Sequence, residues 1–155
     1  MRPGSPVQRI AAVLVIALAA ACGGGGQAAP PRTVAPANPE VATSLVIDQF
    51  LRAANSNDLD TMARLFGTRD GSVLRRDPRE NVDRQMFALA SLLRHDRYSI
   101  KGFQVVPGRR DEATRVIVTM TVGTRVVDVP WTLVYATTGS WLVETIDLVA
   151  LTRGG

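Results

Sequence analysis

Two periods divide the chain from residue 38 onward. Val41, Leu45, Val46, Phe50, Leu51 and Ala54 recur at three- and four-residue steps, the mark of a helix with one buried stripe. Asn38 stands where an N-cap is wanted and Pro39 at the first helical position, and "NSND" breaks the pattern. "LDTMARLFG" predicts a short second helix, capped by Asn57 or Asp58, with Leu59, Met62, Leu65 and Phe66 inward and Gly67 as C-cap. "TRDGSVLRR" reads as a loop. "DPRE" then predicts a third helix with Asp77 as N-cap, Pro78 in the first turn and Glu80 closing a capping box. Its apolar face is Val82, Met86, Leu89, Ala90 and Leu93.

From Tyr98 the period falls to two. "YSIKGFQVV", "ATRVIVTMTV", "TRVVDVPWTLVYA" and "SWLVETIDLVAL" alternate and are rich in β-branched residues, with hairpin-length breaks between them. Val116, Val118, Met120 and Val122 share one face of the second strand; Val127, Val129, Trp131, Leu133 and Tyr135 share one face of the third. Pro130 cannot donate to a ladder, so the third strand is expected to be at an edge or bulged there. The order predicts an α+β domain, three N-terminal helices packed on a curved four-stranded antiparallel sheet.

The residues before the domain follow neither period. Arg2 and Arg9 precede an unbroken apolar run, Ile10 to Ala21. That run has the length of a secretory signal and is shorter than the roughly 20 residues a spanning helix needs. Small residues, Ala19-Ala20-Ala21, lead into Cys22, the chain's one cysteine. "LAAAC" resembles the lipobox of bacterial lipoproteins, with Ala19 where the pattern prefers Leu. The resemblance implies cleavage between Ala21 and Cys22 and acyl chains on Cys22; an ordinary secreted protein cut at Ala21 is the alternative. Each buried CH₂ contributes roughly 0.8 kcal/mol, so two or three chains give a stable anchor. Gly23 to Pro39, "GGGGQAAPPRTVAPANP", has no apolar periodicity and predicts a disordered tether, holding the domain on the order of 20 Å from the bilayer. The expected organisation is a signal peptide (1–21), a lipidated cysteine with its tether (22–39) and one domain (40–155).

Charge narrows the partners further. The chain carries +4, and removing Arg2 and Arg9 leaves +2. Acids and arginines alternate, as in "RLFGTRDGSVLRRDPRENVDR", where a nucleic-acid surface would show a one-sign stripe with interleaved aromatics. No nucleic-acid partner is expected. One His and no cysteine in the domain leave too few ligands for a metal site, and "CGGGGQ" precedes a tether where a phosphate cradle would precede a helix. No cofactor or metal is expected.

The helix pair "FLRAANSNDLDTMARLFG" and the closing "GSWLVETIDL" resemble the nuclear transport factor 2-like superfamily. The resemblance implies a cone-shaped α+β fold. It leaves function open, because the superfamily includes isomerases, dehydratases and cyclase-like enzymes as well as binding domains without catalysis. Its enzymes use acid–base groups inside the cone, and three residues here are weak candidates. His95 sits at a helix end beside Asp96 and Arg97, where the helix dipole accounts for it. Asp128 is in phase with Val126, Thr132 and Val134 and is expected to face outward, the alternative being a base in a cavity. Tyr135 could donate to a ligand oxygen or belong to the core. Asp147, at the closing strand's end, suits backbone capping. No spacing forces any pair together.

The expectation is therefore a lipid-anchored, non-catalytic protein of the bacterial cell envelope, facing away from the cytoplasm. It would bind a small apolar ligand or a partner protein, with Val127, Val129, Trp131, Leu133 and Tyr135 lining the site. An isomerase, dehydratase or cyclase-like enzyme is the alternative, and a homodimer through the sheet is the self-association to consider.

Overall fold

Asn38 opens α1 (Pro39–Ser56) with its side chain accepting from the Val41 amide, in a computed structural model that describes residues 38–152. The signal segment, Ala21, Cys22 and the tether as far as residue 37 lie outside the described residues. Asn57 closes the helix in the left-handed region at φ 54°, which Asn tolerates better than most residues. The buried stripe is Thr43, Ile47, Phe50, Leu51 and Ala54, and the expected stripe is corrected at its start. Val41 and Leu45 are 66% and 55% exposed. Leu45-Val46-Ile47 are consecutive, so two stripes fit the period, and packing selects the one through Ile47. The Thr43 hydroxyl enters the core because it donates to the Pro39 carbonyl at 2.7 Å.

Asp58 caps α2 (Leu59–Leu65), accepting from the Thr61 amide at 3.0 Å. Gly67 is not the C-cap expected of it. Phe66 ends the helix in extended conformation, and Gly67 belongs to β1 (Gly67–Thr68), paired with β2 (Gly71–Ser72). A Cβ on Gly67 would collide with the Gly71 carbonyl, so glycine is needed there for close approach. This hairpin and the 3₁₀ turn Val73–Arg75 occupy the stretch read as loop.

The capping box before the third helix does not form. Pro78 is extended at ψ 137°, so α3 (Arg79–Leu92) starts one residue later without a side-chain cap. Asp77 instead accepts from the Arg76 guanidinium, and Glu80 pairs with Arg84 at 3.6 Å. The buried face is Val82, Met86, Leu89 and Ala90, as the periodicity predicts.

Four strands follow as an antiparallel meander: β3 (Arg97–Val105), β4 (Ala113–Val122), β5 (Arg125–Tyr135) and β6 (Trp141–Ile146), in sheet order β3-β4-β5-β6. The fold is α+β, with Val116, Val118, Met120, Val129, Trp131 and Leu133 from one sheet face and the inner stripes of the helices forming the main core. Phe50 meets Trp131 edge to face, ring centroids 5.7 Å apart. β5 is an inner strand, yet its ladder with β6 begins at Trp131. Pro130 falls just past that ladder, its carbonyl accepting from the Asp147 amide at 2.9 Å as the chain leaves β6, so the residue without an amide proton stands at the end of the pairing. The last segment read as strand ends early: Asp147 accepts from the Val149 amide, and the chain turns into α4 (Val149–Thr152). No helix among the described residues is long and apolar enough to cross a membrane.

Candidate functional site

The apolar stripe expected to line a ligand site is mostly packed core. Val129, Trp131 and Leu133 have no exposed surface, and Val127 and Tyr135 pack against the same cluster while partly exposed. Tyr135 lies against Trp141, ring centroids 5.4 Å apart.

The three acid–base candidates stand in three separate places. Asp128 is on the sheet face away from the helices, accepting from Lys101 Nζ at 2.5 Å and from the Thr119 hydroxyl at 2.6 Å. Those two donors hold its carboxyl below the usual carboxylate value, Lys101 contributing most. His95 is in the connection between α3 and β3, its Nδ1 2.9 Å from the Leu93 carbonyl. Asn55 donates to the His95 carbonyl at 3.1 Å, tying the end of α1 to this corner. Tyr135 is on the opposite sheet face from Asp128, on the same strand. No two of the three share a partner.

The periodicity did not single out Asp48 and Tyr98, which form the most perturbed pair. The Tyr98 hydroxyl donates to Asp48 Oδ1 at 2.5 Å, and Arg52 Nε pairs with the same carboxylate at 2.9 Å. Burial, then the Asp48 bond and charge, push the Tyr98 phenol up to about 12, while the same bond lowers Asp48. The pair joins α1 to the edge strand, and the sign of its pH dependence follows. Tyr98 contributes stability that is full below pH 10 and is lost as pH rises toward about 12, on the order of 1 kcal/mol. Asp48 contributes above its ordinary value of 3.8, and that share is lost as pH falls through its lowered pKa. Melting curves of Tyr98→Phe should lack the wild-type decline between pH 10 and 12; an unchanged decline would remove Tyr98 as its source.

A concave space lined mainly by apolar side chains lies elsewhere. Along one side of α3, Gln85, Ala88, Leu89 and Leu92 follow the spacing of a single helix edge. They face the end of β6, Glu144 to Ile146, with Phe66 and Leu148 closing a groove of about 390 Å³. Its floor is continuous with the core, since Ile146 stands opposite Trp131 in the ladder and Phe66 lies beside Phe50. A bulge positions its polar rim. Thr132 pairs with Thr145 and Leu133 with Val143, so Glu144 is the extra residue. Arg109 fixes that carboxylate with two bonds, 2.7 and 3.1 Å. The sequence carried half of this signal, in the second apolar edge of α3, but nothing in it placed β6 opposite.

A second groove of about 390 Å³ lies where Pro39 and Glu40 meet Phe103, Val105 and Trp141. The indole N–H groups of Trp131 and Trp141 are buried without an acceptor. Among the described residues no cluster of His, Cys, Asp or Glu side chains could hold a metal ion.

These elements define an α+β domain whose helices cover one face of a four-stranded meander. The sequence matches no family model and no curated protein. Among solved structures it is similar to an NTF-2-like protein of unknown function from Silicibacter pomeroyi, with 12% identity and a TM-score of 0.46 over 68% of this chain and 90% of that one. It is similar also to a proposed ketosteroid isomerase from Shewanella frigidimarina, with 14% identity and a TM-score of 0.44 over 68% of this chain and 92% of that one.

Proposed function

We propose that this chain is a lipid-anchored, non-catalytic protein of the bacterial cell envelope, whose domain binds a small apolar ligand in the groove between α3 and the end of β6. The observation that carries the binding site is the groove itself: apolar side chains on both walls, open to solvent, over a filled core. Few polar groups at its rim, Gln85, Glu144 and Thr145, suit orientation of a ligand more than proton transfer. The Glu144 carboxylate is already engaged by Arg109 at 2.7 Å. The enzymatic alternative requires ionisable groups converging on one dry site, and His95, Asp128 and Tyr135 do not converge. The anchor rests on Cys22 and the residues before it.

Ala88 is exposed on the groove wall, so Ala88→Trp would fill the space without disturbing the core. Lipid-extract mass spectrometry on the purified protein should recover an apolar ligand from wild type. Binding of a fluorescent apolar probe should weaken at least about tenfold in Ala88→Trp, with thermal stability unchanged. Equal binding by the variant would move the site elsewhere. Turnover of any ligand recovered would replace the reading with the enzymatic one.

A further inference from the structure

We propose that the domain rests on the bilayer by one particular end, with Val41 and Leu45 of α1 and Val105 of β3 in contact with lipid. The inference builds on the acyl anchor proposed for Cys22. Val41, Leu45 and Val105 are 66%, 55% and 61% exposed, large aliphatic groups that the fold leaves without cover. They lie together. Val41 and Leu45 are one turn apart on α1, followed at the next turn by Asp48, which reaches β3 through Tyr98. At the helix start, Pro39 and Glu40 border the same groove as Phe103 and Val105. The exposed strip thus runs along the edge strand, from the end of β3 to the Asp48–Tyr98 bond.

The position of this strip identifies its occupant. The chain coming from Cys22 enters the domain at Asn38, immediately before α1. A tether of that length keeps this end on the order of 20 Å from the membrane, at an effective concentration in the millimolar range. Three aliphatic side chains bind a bilayer too weakly to recruit a free protein, but a tethered face at that concentration is held down. The other strongly exposed apolar residues are elsewhere. Phe87 is on α3, and Val126 pairs with Thr121, which pairs with Arg97, at the far end of the sheet from Val105. The charges around the strip are mixed, with Glu40 and Asp111 beside Arg110. Contact is therefore apolar, and should depend little on anionic lipid or salt.

The chain's one cysteine is consumed by acylation, so each added cysteine gives a single reactive thiol. Val41→Cys, Leu45→Cys, Val105→Cys, Phe87→Cys and Val126→Cys would be purified as the full lipoprotein. Each would be labelled with an environment-sensitive fluorophore and reconstituted in phosphatidylcholine vesicles containing some phosphatidylglycerol and nitroxide-labelled lipid. Quenching at Val41, Leu45 and Val105 should exceed that at Phe87 and Val126 by at least about twofold. Adding Val41→Asp and Leu45→Asp should return the Val105 probe to the control level while the protein stays with the vesicles. Equal quenching at all five positions means a domain riding free on its tether, and overturns the inference. A blue-shifted probe without nitroxide quenching means that a second copy of the chain covers the strip, and overturns it too. The mass of the N-terminal peptide tests the anchor separately: without acyl chains on Cys22 both readings fall, whereas acyl chains with equal quenching defeat only this one.

Discussion

Replacing Trp131 by alanine should cost about 3–5 kcal/mol, the range for truncating a large buried aromatic. Trp131 has no exposed surface, packs edge to face with Phe50 and stands between Val116 and Ile146 in the sheet, so its removal leaves a void in the core. Against a total stability of roughly 5–15 kcal/mol, that is a large fraction. A thermal melt should shift down by about 12–40 °C, at roughly 4–8 °C per kcal/mol. Trp131→Phe separates volume from polarity. It loses part of the ring system, but it also removes an indole N–H that is buried without an acceptor. Its cost should be well below that of alanine. If alanine melts within a few degrees of wild type, the core is not organised around this residue.

Cys22→Ser should abolish palmitate labelling and leave uncleaved or released protein, an all-or-none effect on the label. Serine cannot form the thioether, and once the acyl chains are lost nothing in residues 38–152 is long and apolar enough to hold the chain in a bilayer by a helix. The same variant distinguishes anchor from docking face: released protein should show that Val41, Leu45 and Val105 alone do not retain it. Continued labelling of the serine variant would overturn the anchor, and with it the envelope location.

Residues with a strict local period were legible in the sequence. β4 was readable end to end from "ATRVIVTMTV", and the α3 face from Val82 to Ala90, because each buries one face whatever its neighbour. Local rules that compete with a tertiary contact were less secure. Asp77 is a good cap in isolation, but Arg76 takes its carboxylate. Gly67 looks like a C-cap, but its missing Cβ serves the approach of Gly71. Val41 and Leu45 satisfy the helical period as well as Thr43 and Ile47 do, and only the sheet beneath chose between them.

The candidate groove divides the same way. Gln85, Ala88 and Leu92 could be placed on one edge of a helix from spacing alone. Their partners, Glu144 to Ile146, come from more than fifty residues later in the chain. The bulge at Glu144 and the Arg109 fork that holds it are long-range events with no local period.

By itself the sequence determined the α+β class and the buried faces of β4 and α3, because each depends on neighbours in the chain. The tertiary structure decided which of two stripes on α1 is buried and that His95, Asp128 and Tyr135 stand apart. It also decided that the stripe through Trp131 is packed core. These depend on which surfaces meet, and surfaces distant in sequence meet only once the chain has folded.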